Sequence, residues 1–287
     1  MGTKSRTFIQ LSVVTGLVIL AACGEARLGL SANPFGFDPA GEPPSTAVVT
    51  EPGSPVTEQP PICDPFGNTP GAGANSGLVA KLTYIPVELI SDQYDLSISK
   101  FTPGSPNVVE VANRVFLSQI NKPSTYFDAG FQANGVFLKA NDGSNLIEDF
   151  ALFMSGKIKL QDSDPEGAYE FAVLSDDGVV LYFDQSGGTF TKHIDNDGTH
   201  ADRLGCGSSS ITMQRGTALP MQLGYFQGPR FYITNTLYWR NTNIGQAEPF
   251  CGNAIGDPTA FAARGWKVLQ AGNFVLPDNV TSNPCVP

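Results

Sequence analysis

Gly167-Ala168-Tyr169-Glu170-Phe171-Ala172-Val173-Leu174-Ser175-Asp176-Asp177-Gly178-Val179-Val180-Leu181-Tyr182-Phe183-Asp184 carries the clearest structural signal in this chain of 287 residues. Tyr169, Phe171 and Val173 alternate with Glu170 and Ala172; Val179, Leu181 and Phe183 repeat the pattern beyond the Asp-Asp-Gly turn. Successive side chains of a strand point to opposite faces, so each run reads as a strand with one apolar face. Leu219, Met221, Leu223 and Tyr225 form another such face, and Phe231, Ile233, Leu237 and Trp239 share one parity of a further strand. Residues 151–160 supply another, while Val108 to Ile120 fits either a helix or a strand. Short strands separated by Gly, Asn and Asp turns predict an all-β fold, an antiparallel β-sandwich or barrel. No internal repeat is visible. Residues 77–287 are enough for one sizeable core, and they read as one domain with an extension after Asn241.

The N-terminus has a different character. Lys4 and Arg6 precede a mostly apolar run from Phe8 to Leu20. A membrane span takes about 20 residues, so this shorter run reads as a signal peptide over residues 1–22. Leu20-Ala21-Ala22-Cys23 resembles the lipobox of bacterial lipoproteins, which implies lipidation of Cys23 and stable attachment through several acyl chains. Gly24 and Glu25 follow, with no Asp after the cysteine, which favours the outer membrane in a Gram-negative host. Residues 23–76 are rich in Pro, Gly, Ser and Thr, as in Gly41-Glu42-Pro43-Pro44-Ser45-Thr46. Such a segment buries too little apolar surface to offset its ordering entropy, and it reads as a tether spanning roughly 40 Å.

Cys63, Cys206, Cys251 and Cys285 remain. An even count outside the cytoplasm predicts two disulfides; of the three connectivities, Cys206 with Cys251 and Cys63 with Cys285 is the preferred one. The formal net charge is −10 and no block of Lys and Arg accumulates, which argues against nucleic-acid binding. Two histidines and oxidised cysteines leave little for a zinc site.

The chemistry concentrates at Asp176 and Asp177. Adjacent carboxylates at a tip repel unless a cation or a proton intervenes. Hard oxygen ligands suit calcium, and the same Asp-Asp-Gly also makes a good solvated turn.

The run Tyr-x-Phe-x-x-x-Ser-Asp-Asp-Gly-x-x-Leu-x-x-Asp resembles the core motif of the PA-fourteen domain, the β-sandwich module of the anthrax protective antigen. Gly77-Leu78-Val79-Ala80, Asn196-Asp197-Gly198-Thr199-His200, Leu219 to Gly228 and Leu237-Tyr238-Trp239 are similar to other parts of that family in the same order. The resemblance covers roughly residues 77–240. It implies carbohydrate recognition in which the two aspartates, Asp176 and Asp177 here, are joined by a cis peptide and chelate calcium that binds sugar hydroxyls. The family's sugar-binding members supply an Asn just after the late strand; Gln227 stands at that place, with one extra methylene. Asn196 would lie near the sugar.

Other constellations are weaker. Asp162-Ser163-Asp164 opens like an EF-hand loop, but Val173 occupies the position where a bidentate Glu is needed, which leaves a polar hairpin loop. His200 reads as a structural histidine, and Trp239 and Trp266 as core residues. Asp176 and Asp177 adjoin too closely to be the separated acid pair of a glycosidase, and no other catalytic set stands out. The sequence therefore predicts a non-enzymatic surface lipoprotein that binds a glycan or cell-surface polysaccharide, with calcium as cofactor. The alternative is a structural or protein-interaction lipoprotein of the cell envelope.

Overall fold

The computed structural model describes residues 30–31, 33–35, 60–68, 73–111, 114–133, 136–241 and 248–286. The signal peptide and Cys23 lie outside the described residues. Among those described, no helix is long and apolar enough to cross a membrane.

Eight strands organise the domain: β1 (Leu78–Tyr84), β2 (Phe150–Lys159), β3 (Gly167–Asp176), β4 (Val179–Asp184), β5 (Phe190–Asn196), β6 (Arg203–Cys206), β7 (Ala218–Gln227) and β8 (Tyr232–Asn241). The larger sheet runs β5-β4-β7-β2-β1, extended by Leu30–Ser31 beside β5 and by Val115–Leu117 and Ile62–Cys63 beyond β1. The smaller sheet runs β6-β3-β8 to Lys267–Val268, with Asn121–Tyr126 also on β8. Pairing is antiparallel except between Ile62–Cys63 and Val115–Leu117. The architecture is the expected all-β sandwich.

The alternation read from sequence explains how the sheets meet. Tyr169, Phe171 and Val173 of β3, Val179, Leu181 and Phe183 of β4, Met221, Leu223 and Tyr225 of β7, and Ile233, Leu237 and Trp239 of β8 are all buried in one cluster between the sheets. Burying a Phe or Leu completely contributes about 2–3 kcal/mol, and Phe171, Phe183, Leu181, Leu223 and Leu237 are each fully buried. The open segment Val108 to Ile120 resolves into strands at Val109–Glu110 and Val115–Leu117. Phe231 departs from its expected inward face. It precedes β8, follows a cis Arg230–Phe231 bond and stands 70% exposed. The loop 162–166 is not a hairpin, because β2 and β3 belong to different sheets.

Pieces of the 23–76 segment lie on the domain rather than apart from it. Phe35 packs against Phe153, Phe66 stacks on Phe131 in the main core, and Ile62–Cys63 is a strand. Single aromatic anchors in a Pro-rich run leave no periodic signal. The extension after Asn241 covers the outer face of the smaller sheet. Phe261 and Trp266 bury with Ala172 and Leu204, and Trp266 stacks under Arg240. Glu248 gathers Arg240, Arg264 and the Trp266 indole at 2.8–2.9 Å. Helix Pro258–Ala263 starts on Asp257, whose side chain accepts from Thr259 N and Ala260 N.

Both disulfides form with the preferred pairing, Cys63–Cys285 and Cys206–Cys251, across sequence separations of 222 and 45. Cross-linking distant residues restricts the unfolded chain, so Cys63→Ser/Cys285→Ser is expected to lower the unfolding free energy by about 3–5 kcal/mol. Chemical denaturation of the two proteins measures this.

His193 on β5 sits against the rings of Phe171 and Phe183 with Nε2 buried and unpartnered. Burial pushes its pKa down to about 4. The unfolded chain therefore takes up a proton near pH 6.5 that the folded chain takes up only near pH 4, so the contribution of this group to stability falls as pH drops through that window. The loss is about 3 kcal/mol. Urea melts at pH 7 and pH 4.5 isolate this step as a difference: the stability of wild type relative to His193→Leu is expected to fall by about 2–3 kcal/mol between the two, while the carboxyl contributions common to both proteins cancel.

Candidate functional site

Residues 176–178 make the crossing from one sheet to the other: β3 ends at Asp176 in the smaller sheet, and β4 starts at Val179 in the larger. The Asp176–Asp177 peptide is cis. Gly178 is required here, because a side chain would strike the Phe226 ring and come within 2.9 Å of Gly198 N.

Both carboxylates are almost wholly covered, Asp176 at 3% and Asp177 at 1% exposure. Asp177 is held from two loops: its Oδ2 accepts from Gly228 N at 2.7 Å and its Oδ1 from His200 N at 3.0 Å. The Asp176 carboxylate accepts from the Asp202 backbone. Beneath the crossing, the fully buried Tyr225 hydroxyl shares its proton between the Asp176 carbonyl and Gln227 Oε1, each at 2.7 Å.

The neighbouring charges that act on the pair are negative. Burial pushes the Asp176 carboxyl up to about 8, reinforced by Asp177 and Asp202. Burial also pushes Asp177 up to about 7, against its two backbone donors, with the charges of Asp149 and Glu148 adding to the rise. Asp149, at φ 60° and 7% exposure, rises to about 6 through burial and Glu148. Its Oδ1 is buried with no hydrogen-bond partner. Glu148 is engaged by Arg230, whose Nε lies 3.1 Å away. Among the described residues no three His, Cys, Asp or Glu side chains form a ready cage. Calcium, however, takes carboxylate, carbonyl and water oxygens alike, and the unpartnered Asp149 oxygen beside a buried carboxylate pair fits a hard cation.

The structure places the other expected ligands differently. Gln227 is fully buried. Its Oε1 accepts from Tyr225 and its Nε2 donates to Tyr232 O at 3.1 Å, so it braces the pair from below. Asn196 is also buried: Nδ2 donates to Ser175 Oγ and Arg203 O, and Oδ1 accepts from Arg203 Nε at 2.6 Å. It fastens the loop that carries His200. Both ring nitrogens of His200 face backbone carbonyls, of Ala201 and Asn196.

Sequence reading missed the rim. The Gly228–Phe231 loop that grips Asp177 leads into Phe231 and Tyr232, 70% and 41% exposed, and Tyr232 stacks on Tyr126 at 5.1 Å. Asp149 and Asp202 were missed as well. Nothing local marks them, since they reach the tip only through strand pairing, as when Thr234 stands opposite Asp176 and donates to Asp202 Oδ1 at 2.6 Å.

No protein-family model and no curated protein matches the chain. Solved structures do resemble it. The "PA14 sugar-binding domain from RTX adhesin" is 16% identical at TM-score 0.43, covering 71% of this chain and 100% of that one. The Epithelial Adhesin 6 A domain from Candida glabrata, in complex with Galb1-3GlcNAc, is 13% identical at TM-score 0.43, covering 79% and 98%. An "anti-sigma factor domain-containing protein" is 13% identical at TM-score 0.41, covering 72% of this chain. This chain spans about half of that protein, 49% of its length. Two of these three are PA14 domains or adhesin A domains by their descriptions, and at these scores the likeness adds nothing to the residue-level geometry.

Tyr225→Phe keeps the ring and removes the hydroxyl under the crossing. It leaves the Asp176 carbonyl without this donor and is expected to cost about 1–2 kcal/mol in urea unfolding, with the fold retained.

Proposed function

We propose that this protein is a lipoprotein, anchored through Cys23 to the outer membrane, that binds carbohydrate through a PA-fourteen-like domain with calcium at Asp176 and Asp177. One observation carries the reading: two adjacent carboxylates are buried together at the crossing, and Asp149, whose Oδ1 has no hydrogen-bond partner, is near enough for its charge to act on Asp177. Asp176 and Asp177 would hold the ion. Bound calcium supplies a Lewis-acidic centre for vicinal hydroxyls. Phe231, Tyr232 and Tyr126 offer apolar faces beside the site, and sugar rings stack on such faces. Gln227, His200 N and Gly228 N fix the position of the pair. The PA-fourteen motif around Ser175-Asp176-Asp177-Gly178 supports the same reading, and the N-terminal lipobox supports the address.

A glycan array probed with the disulfide-bonded protein in calcium and again in EDTA tests this. The reading predicts glycan binding in calcium, absent in EDTA and in Asp176→Ala. No binding in either buffer by protein shown to be folded overturns it and favours an envelope protein whose exposed aromatic rim meets a protein partner.

A further inference from the structure

Away from the Asp176–Asp177 crossing, a cleft of about 780 Å³ opens beside the Cys63–Cys285 bridge. That size is within the usual range of small-molecule sites, about 300–1,000 Å³. Phe66 and Phe116 form apolar wall, and Asp64, Asn68, Ser118 and Lys122 bring polar atoms to it.

The polar groups divide into engaged and unengaged. The Asp64 carboxylate accepts from Ser118 N at 3.0 Å, from the Ser118 hydroxyl and from Asn68 N at 3.3 Å. These bonds hold the Asp64 carboxylate against the cleft wall. Asn68 Oδ1 accepts from Gln119 at 3.0 Å, while its Nδ2 is buried and unpartnered. Lys122 makes no ion pair among the described residues, and its Nζ stands 5.9 Å from the centre of the Phe131 ring. Directly opposite Lys122 across the strand pair is Asn235, which is wholly buried with neither side-chain atom bonded. Opposed residues of an antiparallel pair project to the same side. Asn235 shares its parity with Ile233 and Leu237 and lies in the sandwich behind Lys122, which lines the cleft. Unpaired buried polar groups are costly, and a native protein gives them partners. Burial without an anion also draws the Lys122 pKa down.

We propose that this cleft is a second, calcium-independent site for an acidic sugar of the hexuronate type. Its carboxylate is taken by Lys122 and the amide donor of Asn68, and its ring lies against Phe66 and Phe116. The donors call for an acceptor-rich anionic group, the apolar walls for a ring face, and the remaining polar lining for hydroxyls. The site shares no residue with the Asp176–Asp177 crossing, so it stands whether or not calcium binds there.

The test is calorimetric titration of the full-length, disulfide-bonded chain in EDTA with glucuronate and digalacturonate, using glucose and galactose as neutral controls. The proposal expects saturable uronate binding, at least tenfold weaker binding of the neutral sugars, and at least tenfold loss in Lys122→Gln. Uronate is expected to raise the melting temperature of the wild type and to leave that of the variant unchanged. Asn68→Ala keeps the charge and is expected to weaken uronate binding at least threefold; it decides the matter if Lys122→Gln does not fold. Equal binding of neutral sugars, uronate binding unaffected by either substitution, or no binding of any sugar overturns the proposal and leaves a cleft filled by water.

Discussion

Two carboxyl groups held side by side in the interior are the constraint around which this domain is built. Asp176 and Asp177 sit where the chain leaves one sheet and enters the other, so they cannot be moved outward without uncoupling the sheets. The surrounding structure serves to hold them. Gly228 and His200 donate backbone N–H groups to Asp177, Tyr225 braces the Asp176 carbonyl, and Gln227 braces Tyr225. Such donors favour the charged form, yet burial outweighs them and both carboxyls stay well above the usual carboxylate range. A proton relieves that conflict, and so would the calcium ion proposed above.

Much of this was legible in the sequence for a physical reason. Period-2 alternation reports which face of a strand is buried, and Phe171, Leu181, Leu223 and Leu237 all lie in the core. The Asp pair was legible because its members are contiguous. What the alternation does not report is which strands share a sheet. β3 and β4 look like the two arms of a hairpin, yet the first pairs with β8 and the second with β7. Residues contributed from a distance were hidden for the same cause: Asp149, Asp202 and the aromatic rim have no local pattern. Gln227 and Asn196 lie in the right neighbourhood, but hydrogen bonds to Tyr225, Tyr232, Ser175 and Arg203 turn their side chains to bracing rather than outward.

The chain ends reveal a second theme. Cys285 is bonded to Cys63, and the Cys206–Cys251 bridge ties the C-terminal extension to β6. Phe35 and Phe66 anchor parts of a segment whose composition alone suggests a free tether. The base of the domain is thereby closed by the same residues that shape the cleft beside Lys122, while the carboxylate crossing is fastened by loops at 196–203 and 228–232.

Calcium calorimetry on the folded, disulfide-bonded protein tests the central claim most directly. The account predicts saturable binding of one calcium ion per chain, abolished in Asp177→Asn while the variant remains folded. Absence of calcium binding by the wild type, or binding undiminished in Asp177→Asn, would contradict it.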